Sequence, residues 1–227
     1  MDTLNVQKAY DSIAKEFSDS RPFTWKWVDE YILNLKKNLV IVDIGCGNGR
    51  LSNYNKLFNM SHFFIGLDIS MMQLSNNKYS TDKIQSCMLQ LPFVDNSVDS
   101  IICIASFHHL KNIDERRHAL SEMKRILNKD NDNDNDNDND KDNDNDNENK
   151  KNSILLSVWS INQPIKTKRT FDKYGDTIVE WKMKNGLVIK RYYYIFELNE
   201  IITLIEEYFT IKEYKWDCGN EIFELIV

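Results

Sequence analysis

Proline and cysteine are scarce in this 227-residue chain, and no long apolar run interrupts it. Only three prolines punctuate it, so long periodic segments run unbroken. The four cysteines, Cys46, Cys87, Cys103 and Cys218, show none of the paired spacings of a zinc site or a disulfide framework, and they read as reduced thiols. No stretch approaches the roughly 18 apolar residues that span a bilayer. The first residues, MDTLNVQKAYDSIAKEF, are amphipathic and lack the apolar centre of a signal peptide. These absences point away from membranes and export and towards the cytoplasm, with nuclear residence also open.

Positive charge looks scarce as well, at a net −6, but one segment sets that figure. From Asp130 to Asn149 the chain alternates Asp and Asn, with ten acids and one lysine. The remainder holds 28 bases against 25 acids. With nothing apolar to bury and like charges in repulsion, residues 129–151 are expected to be a disordered insert within a single domain, 1–227. The repeat has no glycine at turn positions and does not match an EF-hand.

On either side of the insert, short apolar runs alternate with helical periodicity. Val6, Ala9, Tyr10, Ile13, Ala14 and Phe17 mark one helix face, and Trp25 to Lys36 reads as a second helix; together residues 1–37 form a helical lid. LVIVDI, HFFIGLDI, KIQSCML, SVDSIICIA and SILLSVW read as strands, with helices from Ser70 and from Asp114 to Leu127. That alternation predicts an α/β fold with a mostly parallel, doubly wound sheet. Residues 161–197 add an inserted β-hairpin, TIVEWKMK-NG-LVIKRYYY, whose Asn-Gly predicts a two-residue turn. A helix from Leu198 to Tyr208 and two strands, TIKEYKWD and NEIFELIV, close the sheet edge in antiparallel fashion.

Glycine, too, is sparse, yet three of the seven fall within five residues, in VDIGCGNGRL. A glycine loop at the carboxyl end of a first strand lies where open α/β sheets bind ligands. No Gly-Lys-Ser/Thr follows, which excludes a P-loop, and G-x-G-x-G is a poor match to the dinucleotide fingerprint. Gly45, Gly47 and Gly49 let backbone approach a ligand, Asp43 offers a carboxylate to an ammonium group, and Asp68, after the second strand, can accept two ribose hydroxyls. An amino acid joined to a nucleoside satisfies both acids, and S-adenosyl-L-methionine is such a molecule.

VDIGCGNG, IGLDIS, LPFVDNSVDSIICIASFHHL and SILLSVW together resemble the class I S-adenosylmethionine-dependent methyltransferases. YDSIAKEFSDSRPFTW, HHLKNIDERR, VWSINQ, KRYYYIFELNEI and WDCGN are similar, in order, to the eukaryotic tRNA wobble-uridine methyltransferases, which esterify 5-carboxymethyluridine. The resemblance implies a Rossmann-like, seven-stranded sheet with an antiparallel edge strand. It implies tRNA as substrate rather than DNA, and a small zinc-binding activator protein as partner. It assigns Asp43, Gly45, Cys46, Gly47, Asn48, Gly49, Asp68, Ile69, Met88 and Ala105 to the cofactor. Two departures stand out: Cys87 replaces the family's usual acid beside the adenine, leaving that role to the Met88 N–H, and the Asp/Asn insert replaces a short Pro-Gly-Gly turn.

An anionic acceptor calls for cations. Arg21, between the two lid helices, and Arg116 and Arg117, opening the helix after the fourth strand, are the candidates. His108 and His109 follow that strand at the substrate end and are candidate hydrogen-bond donors; with Arg21 they are the expected catalytic residues. Trp25 and Phe23 can stack on a base. Lys166, Lys168, Arg169, Lys173, Lys182, Lys184, Lys190 and Arg191 make the second half basic enough for a phosphate track. The same core motifs also fit a small-molecule methyltransferase acting on a quinone or lipid precursor, or a non-catalytic methyltransferase-like adaptor.

Overall fold

The computed structural model describes residues 3–21, 24–53, 60–77, 82–128, 152–165 and 169–227. The Asp/Asn insert, Phe23, Lys166 and Lys168 lie outside them. Helix α1 (Thr3–Asp19) and helix α2 (Lys26–Leu33) precede strand β1 (Val40–Ile44). Strand β2 (Phe63–Asp68), helix α3 (Met71–Asn76), strand β3 (Asp82–Gln85), strand β4 (Ser100–Ile104), helix α4 (Ile113–Ile126) and strand β5 (Ser153–Trp159) follow. The hairpin strands β6 (Gly175–Lys182) and β7 (Val188–Ile195), helix α5 (Leu198–Glu206) and strands β8 (Thr210–Asp217) and β9 (Asn220–Ile226) complete the chain.

The main sheet has seven strands in the order β3-β2-β1-β4-β5-β9-β8, and β6 and β7 form a separate two-stranded sheet. The five strands β3, β2, β1, β4 and β5 pair in parallel. β9 runs against both β5 and β8, so the reversed strand lies one place in from the edge, and β8 at the edge shares the direction of the parallel strands. Burial on both faces explains the near-continuous apolar runs in β1, β4 and β5. One face packs Val42, Ile101, Leu156 and Phe223 against α4 and α5; the other packs Ile41, Ile102, Leu155 and Ile222 against α2. The alternation along each strand sends neighbours to opposite layers.

Local chemistry sets the boundaries. Ser70 and Asn112 cap α3 and α4, accepting from the backbone N–H groups of Gln73 and Glu115. The β8–β9 turn, Cys218-Gly219, has both residues at positive φ, 49° and 78°, as a two-residue hairpin loop requires. The β6–β7 turn differs from the expected two-residue form. Met183 still pairs with Leu187, its N–H donating to the Leu187 carbonyl at 2.8 Å, so Lys184, Asn185 and Gly186 form a three-residue loop in which only Gly186 takes positive φ, 88°. The third strand ends at Gln85, which leaves Cys87 and Met88 in the turn beyond it. Asn128 and Asn152, at the two ends of the insert, both hydrogen-bond Asp99: the Asn128 side chain donates at 2.6 Å and the Asn152 N–H at 2.7 Å.

Candidate functional site

A cleft opens at the carboxyl ends of β1, β2 and β4 and is roofed by α1 and by the inner face of β7. The three glycines of the loop after β1 do different things. A Cβ on Gly45 would lie 2.0 Å from the Ser106 hydroxyl, and one on Gly49 would strike the Asn77 side chain, also at 2.0 Å. Gly47 faces open space, with Gln73 Oε1 the nearest atom at 3.9 Å. Packing therefore demands the outer two glycines, while the middle one leaves room for a ligand.

Asp68 ties this loop to α3. Its two oxygens accept from the Gly47 N–H at 2.9 Å and the Ser70 N–H at 2.8 Å. Burial raises its carboxyl to about 6, against the pull of those donors. Asp43 is buried beneath the loop and is absent from the cleft wall; burial raises it to about 7, with Arg50 opposing and Asp68 reinforcing the rise. Gln73 is buried at the cleft wall, and neither its side-chain oxygen nor its nitrogen has a hydrogen-bond partner. Buried carboxylates raised by desolvation, together with an unsatisfied amide, are what a cationic ligand rich in hydroxyls and amines would complete.

Gly45, Cys46, Gly47, Asn48, Asp68, Ile69, Met88 and Ala105 all line the cleft. Gly49 lies behind it, packed on Asn77. Ala105 is held at φ 51°, left-handed for a residue with a Cβ, by its N–H bonds to the Ser157 carbonyl and hydroxyl. Cys87 also lines the wall, and burial pushes its thiol up.

The far half of the cleft is aromatic and cationic. Arg21 lies over the Phe17 ring at 3.6 Å and Arg169 over the Trp159 ring at 3.9 Å, and both line the cleft with Tyr10, Trp25 and Tyr193. Burial lowers Arg21 to about 10, with Arg191 and Arg50 contributing in the same direction. Among the described residues no carboxylate forms an ion pair with Arg21. Arg191 is buried behind this wall and donates to the Tyr193 hydroxyl at 2.7 Å. From there a chain of hydrogen bonds crosses three elements: Tyr193 to Tyr10 at 3.0 Å, Tyr10 to His109 Nε2 at 2.9 Å, and His109 Nδ1 to the Tyr192 carbonyl at 2.7 Å.

Several expectations for the acceptor site need correction. His109 does face the cleft, but both its nitrogens are engaged and burial lowers it to about 4, so it is neutral. His108 is wholly buried outside the cleft, where its Nδ1 accepts from the Trp159 N–H at 3.1 Å. Arg116 is buried under Tyr194, at 3.5 Å, and donates to the Leu110 and Lys111 carbonyls. Arg117 grips Glu207 through two contacts of 2.8 Å. Neither arginine lines the cleft: Arg116 is used to fix the turn that leads into α4, and Arg117 pairs with Glu207 at the surface. Sequence reasoning missed Arg50, Gln73, Trp159 and Tyr193 as cleft residues, and read Arg169 and Arg191 only as members of a surface track. Gln73 and Arg50 had a findable signal, each lying a few residues past an acid or glycine loop at a strand end. Trp159 and Tyr193 had none, because only the hairpin's docking on β5 stacks their rings, 4.1 Å apart.

Residues 42–131 match the protein family described as a methyltransferase domain. The chain is 28% identical to the tRNA (carboxymethyluridine(34)-5-O)-methyltransferase of Schizosaccharomyces pombe, over 95% of this chain and 92% of that one. It is 36% identical to the protein of the same name from Arabidopsis thaliana, over 54% of this chain and 30% of the relative. Among solved structures, the fold matches a chain from the complex between the Haloferax volcanii Trm112 methyltransferase activator and its partner, with a TM-score of 0.65 and 14% identity, covering 97% of this chain and 96% of that one. It also matches a SAM-dependent methyltransferase from Aquifex aeolicus, with a TM-score of 0.59, 15% identity, and 96% and 98% covered.

Proposed function

We propose that this chain, whose residues 42–131 match a methyltransferase-domain family, is an S-adenosylmethionine-dependent tRNA methyltransferase that forms the methyl ester of 5-carboxymethyluridine at the wobble position. The observation that carries the reading is the division of one cleft into an acidic half at Asp68, with Asp43 beneath it, and a cationic half at Arg21 and Arg169. The likeness to the S. pombe enzyme over nearly the whole of both chains supports it.

The residues of the acidic half suit the cofactor: Asp68 for the ribose hydroxyls, the glycine loop and Gln73 for the polar groups of the methionine end, and the turn from Ser86 to Met88 for the base. When bound, S-adenosylmethionine supplies a methyl group activated by its sulfonium charge. The acceptor side is set by this chain's guanidiniums. A carboxylate ordinarily titrates near about pH 4, so the acceptor is ionised at neutral pH and needs no protein base. The site matches that requirement, since His109 is neutral and already holds the Tyr10 hydroxyl on Nε2. Arg21 neutralises the incoming anion and fixes its orientation, and the low-dielectric wall of Phe17, Trp159 and Tyr193 strengthens that attraction. A small zinc-binding activator of the Trm112 kind is part of the same proposal, supported by the likeness in fold to the Haloferax chain.

The test is the chemistry of the product. Transfer from labelled cofactor to tRNA carrying 5-carboxymethyluridine, with the activator present, should yield a methyl group that mild alkali releases as methanol. The rate should stay nearly flat from about pH 7.5 to 9 because no general base titrates there. Arg21→Ala should lower kcat/KM for tRNA with little change in cofactor affinity. A base-stable methyl, or no transfer to that tRNA, refutes the function.

A further inference from the structure

A second depression lies beside the reaction cleft, at the same end of the sheet, between the turn that follows β5 and the outer face of β8. Tyr174, Tyr214 and Trp216 line it, over a floor that includes Phe196 and Ile161. Their exposures are 43%, 40% and 45%, and among the described residues the only other aromatic so exposed is Phe63. Three of four exposed aromatics in one groove is a concentration that burial does not explain. Two of the three have anchored polar edges: Trp216 Nε1 donates to the Asn162 carbonyl at 3.2 Å, and the Tyr214 hydroxyl donates to Glu221 at 2.7 Å, capping the one buried acid of the groove. Anchored edges hold the rings in place as surfaces.

The groove lies close to the cleft along the chain. Trp159 lines the cleft and Ile161 and Asn162, two and three residues on, line the groove. Arg169 faces the cleft and Tyr174 the groove, and five residues of chain cannot separate them by more than about 18 Å. The described stretch between the two carries Arg169 and the exposed Lys173 against a single acid, Asp172. Exposed rings beside basic residues are the composition of a single-stranded nucleic-acid surface, in which faces stack on bases and cations meet phosphates.

Resting on the tRNA reading above, we propose that this groove is a stacking platform for an unpaired base of the anticodon loop near the one modified. The groove selects RNA by stacking and phosphate charge, independently of the methyl chemistry in the cleft. A protein partner or a second copy of this chain would use the same rings differently, burying them without dependence on Arg169 and Lys173.

The full chain is titrated with unmodified anticodon stem-loop RNA, followed by anisotropy of a label on the RNA and by quenching of protein fluorescence. Trp216→Ala and Tyr174→Ala should each weaken RNA binding about 5- to 150-fold where the ring stacks on a base. Trp216→Phe should restore most of the affinity, and cofactor affinity and melting temperature should not move in any of the three. Unchanged RNA affinity in the Trp216→Ala/Tyr174→Ala double variant overturns the proposal. So does a shift in size-exclusion elution, or loss of activator binding, with RNA affinity intact. RNA binding is read without turnover, so a base-stable methyl product would sink the proposed reaction and leave this result standing, whereas normal ester formation with unchanged RNA affinity in the double variant would sink the groove alone.

Discussion

Replacing Asp68 with alanine separates the task the structure gives this carboxylate from the cofactor-binding role proposed for it. Within the protein it holds the Gly47 and Ser70 N–H groups at 2.9 and 2.8 Å. Orphaning two buried donors costs about 1–3 kcal/mol each. Against this stands the desolvation of the acid itself: a rise from 3.8 to about 6 corresponds to roughly 3 kcal/mol against the ionised form, so the substitution relieves about as much as it removes. The net loss of stability should be no more than about 3 kcal/mol, and less if water from the cleft reaches the freed N–H groups. Cofactor binding has no such compensation. Losing charge-assisted hydrogen bonds to a ribose costs about 1.5–3 kcal/mol, or roughly 10- to 150-fold in Kd. Isothermal calorimetry gives the affinity and a thermal melt gives the stability. An Asp68→Ala protein that melts cooperatively and binds S-adenosylmethionine with unchanged affinity would remove Asp68 from the ribose site.

Asp43 and Asp68 both have folded-state pKa values raised above the unfolded range, to about 7 and about 6, so the stability they contribute is complete below about pH 4 and is lost as pH rises through those values. The melting temperature of the protein alone should carry a component that falls between about pH 5 and 8, while affinity for the cationic cofactor rises over the same interval; melts and calorimetry at the two ends check both signs, and parallel trends would refute the pairing. Arg116→Ala should destabilise the fold by roughly 2–4 kcal/mol, since it removes a buried guanidinium stacked on Tyr194 and three hydrogen bonds to carbonyls. Arg117→Ala should alter neither tRNA kinetics nor the melt, and a raised KM for tRNA would return Arg117 to the acceptor site. Deleting Asp130 to Asn149 and joining the ends with a short glycine-containing turn should leave the melt and the cofactor affinity nearly unchanged, because Asn128 and Asn152 already meet on Asp99; a large drop in melting temperature would show that the insert carries structure.

The glycine-loop half of the cleft was legible in the chain because it is local. The glycine loop and Asp68 each follow directly on a strand, and parallel pairing of β1 with β2, Asp43 opposite Gly66 and Ile44 opposite Leu67, brings the two strand ends to one edge without any further instruction. Hydrophobic periodicity likewise determined the helices, the buried strands and the hairpin, since burial on one face or two leaves its imprint at spacings of about 3.6 or 2 residues. The aromatic and cationic half was not legible, because its residues come from α1, the end of β5, the segment before the hairpin and β7, far apart in the chain. A histidine or arginine beside a strand end can turn either into the cleft or beneath it. His109 and Arg169 turned in, while His108, Arg116 and Arg117 turned away. One residue of displacement on a tight turn or helix rotates a side chain by about 100°, and only the packing of the hairpin and α1 over the sheet edge chose which of them the ligand meets.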